Sequence, residues 1–145
     1  MKALIQRVSE ASVEVAGEPV GAIGTGLLVL LGLDKGDDEL AAAKMIDKLL
    51  AYRVFPDAGD RMNRSVADID GGVLLVSQFT LSADTGKGLR PSFSSAMPPA
   101  EAEALYLWML QQLGERHQEV AAGRFGADMQ VRLTNDGPVT FLLEV

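Results

Sequence analysis

No cysteine occurs among the 145 residues. Disulfides, thiol nucleophiles and thiolate metal sites are excluded together, and nothing points to secretion. Histidine is nearly as scarce: His117 stands alone, inside the polar run Glu115-Arg116-His117-Gln118-Glu119 at the end of a predicted helix. A serine-type triad needs a histidine base beside its hydroxyl, and a run of this kind places the ring in solvent. A zinc site would be left with carboxylates for its remaining ligands, so no metal and no cofactor is expected. Long apolar runs are missing too. The longest, Leu27 to Leu33, falls far short of the roughly 20 residues of a membrane span. The chain opens on a patterned strand rather than a charged stub with an apolar core, so no signal peptide is read and a cytoplasmic protein is expected. Positive charge is also in short supply, with a net charge of −7. Such a chain is a poor general binder of nucleic acid, and DNA is not an expected partner, because affinity for a phosphate backbone comes mostly from neutralising phosphates.

What remains is enough for one domain, residues 1–145, with a real core; 48% of the residues are hydrophobic and only six are proline. Ala3 to Val8 and Ala11 to Val15 read as strands, the second with apolar–polar alternation. Gly17-Glu18-Pro19 reads as a turn, and Val20 to Ile23 as the returning arm. Leu27 to Leu33 does not alternate, which predicts a central strand covered on both faces. Gly24-Thr25-Gly26 precedes a strand and not a helix, so it is no phosphate-cradling loop. Asp37 is the expected N-cap of a helix that buries Leu40, Ala43, Ile46 and Leu50 and fades at Tyr52-Arg53. Val54-Phe55-Pro56 looks extended, and Asp57 to Arg64 polar and looped. Asp70-Gly71-Gly72 turns into a strand running from Val73 through Leu81. The acidic pairs Asp37-Asp38 and Asp68/Asp70 sit in turn contexts and need no catalytic role. Ser82 to Ser95 has no periodicity, and a loop of that length in a small domain is more often functional than not. Met97-Pro98-Pro99 opens a second helix, with Leu105, Trp108, Met109 and Leu113 as its core stripe. Phe125, Ala127, Met129, Val131 and Leu133 alternate into Asn135. The order of elements predicts an α/β domain with a mixed, strongly curved sheet and two helices.

Two stretches carry chemistry. Val73-Leu74-Leu75-Val76 runs into Ser77-Gln78-Phe79-Thr80-Leu81, and polar side chains at the end of an apolar strand tend to line a pocket. Asn135-Asp136-Gly137-Pro138-Val139-Thr140 places a Gly-Pro step at the entrance of the terminal strand Phe141 to Val145. Gly137 has backbone angles closed to other residues, Pro138 fixes its own φ, and the bond between them is one where cis is inexpensive. By itself the stretch is a turn launching a strand. Together, Ser-Gln-Phe-Thr-Leu and Asn-x-Gly-Pro-Val-Thr resemble the D-aminoacyl-tRNA deacylases, homodimeric enzymes that strip D-amino acids from tRNA. The resemblance extends to Met1 through Val8, Gly86 through Phe93 and Gly123 through Ala127, and so spans the chain.

The resemblance implies a mixed, barrel-like sheet with two main helices, an ester hydrolase, a homodimer and tRNA as partner, with no membrane. It puts Ser77, Gln78, Phe79 and Thr80 at the catalytic site, and Asn135, Gly137 and Pro138 at a filter that rejects L-amino acids. An acidic protein gripping RNA needs a local basic patch, for which Arg7, Lys87, Arg90 and Arg53 are the candidates. The chain lacks the usual parts of a hydrolase. Either Thr80 attacks the ester without an evident base, or the ribose hydroxyl beside the ester activates water, the RNA-assisted route the resemblance implies. In the second case the protein supplies positioning and hydrogen-bond donors, with the amides of Phe79 and Thr80 as candidates. Two other readings stay open at this point: a module that binds and shields charged tRNA ends, and an editing domain for L-amino acids. The Gly-Pro step disfavours both.

Overall fold

The computed structural model describes residues 1–145 and places at its centre a strand longer than expected. Ala3–Val8 and Ala11–Val15 are parts of one fourteen-residue strand, β1 (Lys2–Val15). β1 turns at Ala16-Gly17, one residue earlier than Gly17-Glu18-Pro19 suggests, into β2 (Glu18–Ile23), antiparallel to the second half of β1. β3 (Gly26–Gly32) lies antiparallel to the first half, from Lys2↔Gly32 to Val8↔Gly26.

Helix α1 (Glu39–Ala51) follows. Its N-cap is Asp38, whose carboxylate accepts from the Ala41 amide, and not Asp37. Asp37 is drawn elsewhere: its carboxylate takes the Asp34 amide at 2.7 Å and the α-ammonium of Met1 at about 3.0 Å. The buried stripe is Ala42, Met45, Ile46, Leu49 and Leu50, so Ile46 and Leu50 face the core as expected. Leu40, in the first turn, points to solvent, and Ala43 is only half-buried. A small ribbon, β4 (Phe55–Pro56) with β5 (Met62–Arg64), closes the polar loop, whose Asp57 carboxylate gathers Gly59, Arg61 and Asn63.

β6 (Gly72–Ser77) pairs parallel to β3, and the strand stops at Ser77. Helix α2 (Pro99–Arg116) begins at its prolines and buries Ala102, Leu105, Tyr106, Met109 and Leu113, with Trp108 half-buried beside them. β7 (Val120–Ala122), a strand whose three residues carry too little pattern to announce it, pairs parallel to β6. β8 (Met129–Glu144) returns antiparallel along the whole free edge of β1. Phe125 to Ala127 is a turn ahead of β8, not the start of the amphipathic strand.

Both predicted helices and the mixed sheet are therefore present, and the sheet curls until it nearly closes. β2 meets β7 so tightly that a Cβ on Gly21 would lie 2.4 Å from the carbonyl oxygen of Ala122. Only glycine permits that approach. The central strands are covered on both sides. Leu27, Val29, Leu31, Val73 and Leu75 face the helices; Leu28, Leu74 and Val76 fill the inside of the curl with Val8, Val13 and Ile23. No helix is long and apolar enough to cross a membrane.

His117 is not the solvated residue that its neighbours suggest. It is half-buried at the end of α2, with Nε2 hydrogen-bonded to the Gly71 carbonyl at the turn into β6. The strand start and the helix end are thereby tied together, away from any hydroxyl nucleophile.

The Met1 ammonium is buried between Asp34 and Asp37, at 3.0 Å from each, and Lys2 adds a second cationic contact to Asp34 at 3.3 Å. Burial pushes the Asp34 carboxyl up, but the Ser82 hydroxyl, the Met1 ammonium and Lys2 outweigh it and hold the group below its usual 3.8. Of these the ammonium is the anchor, since the Ser82 hydroxyl points to the Leu33 carbonyl and Asp34 Oδ1 has no hydrogen-bond partner. A carboxyl depressed in the folded state adds stability above its unfolded pKa and loses it as pH falls through the folded one. Asp34→Asn should therefore cost about 1–2 kcal/mol at pH 7. In urea titrations the gap between variant and parent should shrink as pH drops below 3.8. An equal gap at both ends of the range would remove the ion pair from the account.

Candidate active site

Where β6 ends, the chain bends instead of continuing. The Gln78 amide still bonds to the Leu31 carbonyl at 2.7 Å, the last rung of the parallel ladder. Phe79–Ser82 then winds into one 3-10 turn, closed by Leu81 N–H to Gln78 O and Ala83 N–H to Thr80 O, each at 3.2 Å. Thr80 is consequently on a turn and not on a strand. A helical turn leaves its first amides without partners inside it, and here those are Phe79 and Thr80.

The turn forms one lip of a cleft of about 660 Å³. Ser77, Gln78 and Phe79 line it with Val76, Leu31 and Leu33 from the two central strands. The opposite wall is Met97 to Pro99 and Tyr106 of α2, together with Phe125 to Ala127, Met129 and Val131. Phe93 closes the rim by packing on Phe79, ring centres 5.0 Å apart. Tyr106 is wholly buried; its hydroxyl donates to the Leu75 carbonyl at 2.8 Å, and burial pushes its pKa up to about 12. The wall residues Phe93, Tyr106, Phe125 and Met129 escape a sequence reading. Helical and strand periodicity mark Tyr106, Phe125 and Met129 as core, a signal that is the same whether the space they face is filled or empty, and Phe93 lies in a loop with no periodicity at all.

The polar groups on the lip contain no acid–base pair. Gln78 Nε2 donates to Thr80 Oγ, so the threonine hydroxyl accepts here. No carboxylate or imidazole is hydrogen-bonded to it, and no three His, Asp or Glu side chains converge to hold a metal ion.

The second motif lies elsewhere on the chain. Gln6 pairs with Thr140 and Val8 with Asn135, so Asp136–Val139 loops out of β8 opposite the single residue Arg7. Asn135 braces the loop, with Oδ1 accepting the Val139 amide and Nδ2 donating to Thr140 Oγ, both at 2.9 Å. Arg7, expected to meet tRNA, is instead turned inward: Nε donates to the Asp136 carbonyl at 2.9 Å and Nη1 to the Val54 carbonyl at 2.8 Å. Gly137 has φ +143° and its peptide bond to Pro138 is cis; both residues are exposed. Neither lines the cleft of its own chain. Lys87 and Arg90 project from the loop whose foot is Phe93, and Arg53 is exposed beside Asp68.

A family profile described as D-Tyr-tRNA(Tyr) deacylase matches residues 4–144. The chain belongs to the D-aminoacyl-tRNA deacylase family. Proteins named D-aminoacyl-tRNA deacylase are 66% identical in Stutzerimonas stutzeri and 63% in Azotobacter vinelandii, over 99% of this chain and 99% of each relative. A solved structure titled c-Myc DNA Unwinding Element Binding Protein has a TM-score of 0.96 at 45% identity, covering 100% of this chain and 99% of that one. A probable eukaryotic D-amino acid tRNA deacylase, at 16% identity and a TM-score of 0.84, shares the fold. As a deacylase the chain is a hydrolase of ester bonds, and aminoacyl-tRNA is its substrate.

The loop Asp136–Val139 yields its own test. A Cβ on Gly137 would meet Val139 Cγ2 at 2.7 Å and Val139 N at 2.9 Å, at a φ that other residues rarely adopt. Gly137→Ala should cost about 1–3 kcal/mol through local strain. Arg7→Lys keeps the charge but cannot serve the Asp136 and Val54 carbonyls from one planar group. It should lower hydrogen-exchange protection of the Val139 amide while leaving α1 and α2 unaffected. Unchanged protection would show that Asn135 alone holds the loop.

Proposed function

We propose that the enzyme hydrolyses the ester of D-aminoacyl-tRNA with the substrate's own ribose hydroxyl activating water, and that the cleft beside Ser77 to Thr80 holds the terminal aminoacyl nucleoside. The observation that carries this reading is that no carboxylate or imidazole is hydrogen-bonded to Thr80 Oγ, whose side-chain partner is Gln78. A nucleophilic hydroxyl must pass its proton to a base, and none is hydrogen-bonded to this one: its side-chain partner is the Gln78 amide, and the only imidazole is tied to Gly71. What the lip offers instead is direction. Ser77 and Gln78 side chains and the Phe79 and Thr80 amides are placed to orient the ester and to meet charge on the carbonyl oxygen. Preorganised donors of this kind are worth several kcal/mol in the transition state. The apolar wall excludes bulk water and accepts a planar base or side chain.

Selection against L-amino acids falls, in this reading, to the Gly137-Pro138 backbone of a second copy. Two facts support a shared site: the loop is braced on both shoulders yet stands outside its own chain's cleft, and Gly137 and Pro138 at its tip are exposed. A two-fold dimer would bring the same loop of each chain to the other. Main-chain oxygens standing where the Cβ of an L-residue must lie reject all L-residues alike. Embracing many D side chains would demand a different contact for each, and a methylene in such a pocket is worth only about 1–3 kcal/mol. The solved neighbour is named for binding a DNA element, but a net charge of −7 supports no DNA contact here.

Thr80→Ala should retain part of the deacylation rate and His117→Ala nearly all of it, whereas a tRNA lacking the free hydroxyl beside the ester should turn over very slowly. Normal turnover of that substrate, with Thr80→Ala inactive, would establish a protein nucleophile instead. Exclusion also predicts that glycyl-tRNA, which has no Cβ, is hydrolysed along with D-tyrosyl- and D-aspartyl-tRNA while L-tyrosyl-tRNA is not. Inert glycyl-tRNA would mean that the D side chain itself is read. A Thr80 variant and a Pro138 variant, each impaired, should regain activity when mixed and refolded together. No regained activity in mixed dimers would sink the shared site.

A further inference from the structure

The segment between Ala83 and Ser95 contributes one aromatic ring to the cleft, and its remaining residues stand clear of it. It is not a slack loop. Asp84 and Ser92 exchange both backbone hydrogen bonds, at 2.8 and 3.0 Å, and the Asp84 carboxylate caps the Gly86 amide at 2.8 Å. Phe93, at its foot, packs on Phe79 next to Thr80. The pinched base thus fixes the loop beside the lip of the cleft. Its tip is Lys87-Gly88-Leu89-Arg90. Leu89 is fully exposed, and Lys87 and Arg90 on either side of it are exposed and take part in no ion pair. The one acid within the loop, Asp84, is spent at its base.

We propose that this tip is a second grip on the tRNA, resting on the function proposed above but independent of the ester. Lys87 and Arg90 bind phosphates of the strand leading to the charged end, and Leu89 lies against the apolar face of a base or sugar. The argument is one of continuity and charge. Substrate whose last nucleoside enters the cleft must run outward across its rim. The loop rises from that rim, and the four residues beyond Asp84, which span at most about 13 Å, carry its tip a distance comparable with a few phosphates of a stacked strand. It is also a place where two unpaired cations flank an unburied apolar side chain on an otherwise acidic chain. An RNA strand has the matching pattern of anionic backbone and flat apolar bases. This also reconciles an acidic protein with an RNA substrate, because two phosphate contacts beside the cleft suffice where a broad basic face is lacking.

The test uses the full-length protein, D-tyrosyl-tRNA as substrate and uncharged tRNA as competitor. Lys87→Ala/Arg90→Ala should raise both KM and the Ki for uncharged tRNA about tenfold at 0.1 M salt, with kcat unchanged. The slope of log Ki against log salt should flatten by about 1 to 1.5, since a single-strand phosphate contact contributes about 0.7. Leu89→Ser should raise Ki several-fold without changing the slope. Thermal melting should not move, because these side chains make no contacts to lose. Unchanged Ki and slope overturn the proposal, as does a fall in kcat at constant KM, which would make the loop a wall of the cleft. A parent protein indifferent to uncharged tRNA also overturns it. Absence of D-tyrosyl-tRNA hydrolysis alongside normal competition for tRNA would instead fault the catalytic reading and leave the grip standing.

Discussion

A strand hydrogen-bonded along both edges for its whole length has little freedom to shift, and β1 is such a strand. β2 and β3 share one edge, and β8 runs the length of the other. Slipping β1 by one residue would exchange Ala3, Ile5, Val8, Ala11 and Val13 for their polar neighbours and would uncouple three strands at once. The two functional stretches depend on this register from opposite sides. β3 carries it across to β6, whose end aims Ser77 and Gln78 at the cleft. β8 carries it to Asn135 and Thr140, between which the chain must bulge because Arg7 alone faces four residues. The lip and the Asp136–Val139 loop are thus two consequences of one pairing scheme.

Arg7 shows how economical the arrangement is. A guanidinium offers five donors in a fixed plane, and here two of them join the Asp136 carbonyl to the Val54 carbonyl beyond α1. The Asp136 carboxylate, at 3.7 Å and well exposed, adds little to that. The value of the contact is geometric: an excursion that makes no ladder bonds of its own is held from both shoulders. For a site whose proposed work is done by backbone atoms, anchoring of this kind takes the place of a tuned side chain.

The fold was legible in the sequence wherever one pattern had one cause. The unbroken run Leu27 to Leu33 is central because both its faces are covered, and the stripe Leu105, Met109, Leu113 lies against the core. Where two causes compete, the reading slipped. Asp37 and Asp38 are equally good caps by type, and only the distant Met1 ammonium decides between them. Polar neighbours suggest a solvated His117, yet a carbonyl from the turn at Gly71 claims the ring. The lip residues were identifiable because polar side chains at the end of an apolar strand are anomalous. Arg7 reads only as a candidate for a basic patch, since local sequence does not reveal that β1 and β8 place it opposite a bulge.

The distribution of charge follows from the same division of labour. If catalysis rests on a hydroxyl of the RNA and selection on main-chain oxygens, the protein needs no buried acid or base at the cleft, and none is hydrogen-bonded to Thr80 there. Its carboxylates are free to serve the fold: Asp38 as a cap, Asp57 and Asp68 as turn organisers, Asp34 and Asp37 around the chain's first ammonium. An acidic surface then costs affinity for RNA only where RNA must pass. That path needs cations left unspent by the fold, and in the pinched loop beside the cleft Lys87 and Arg90 make no ion pair while the loop's one aspartate caps the Gly86 amide at its base.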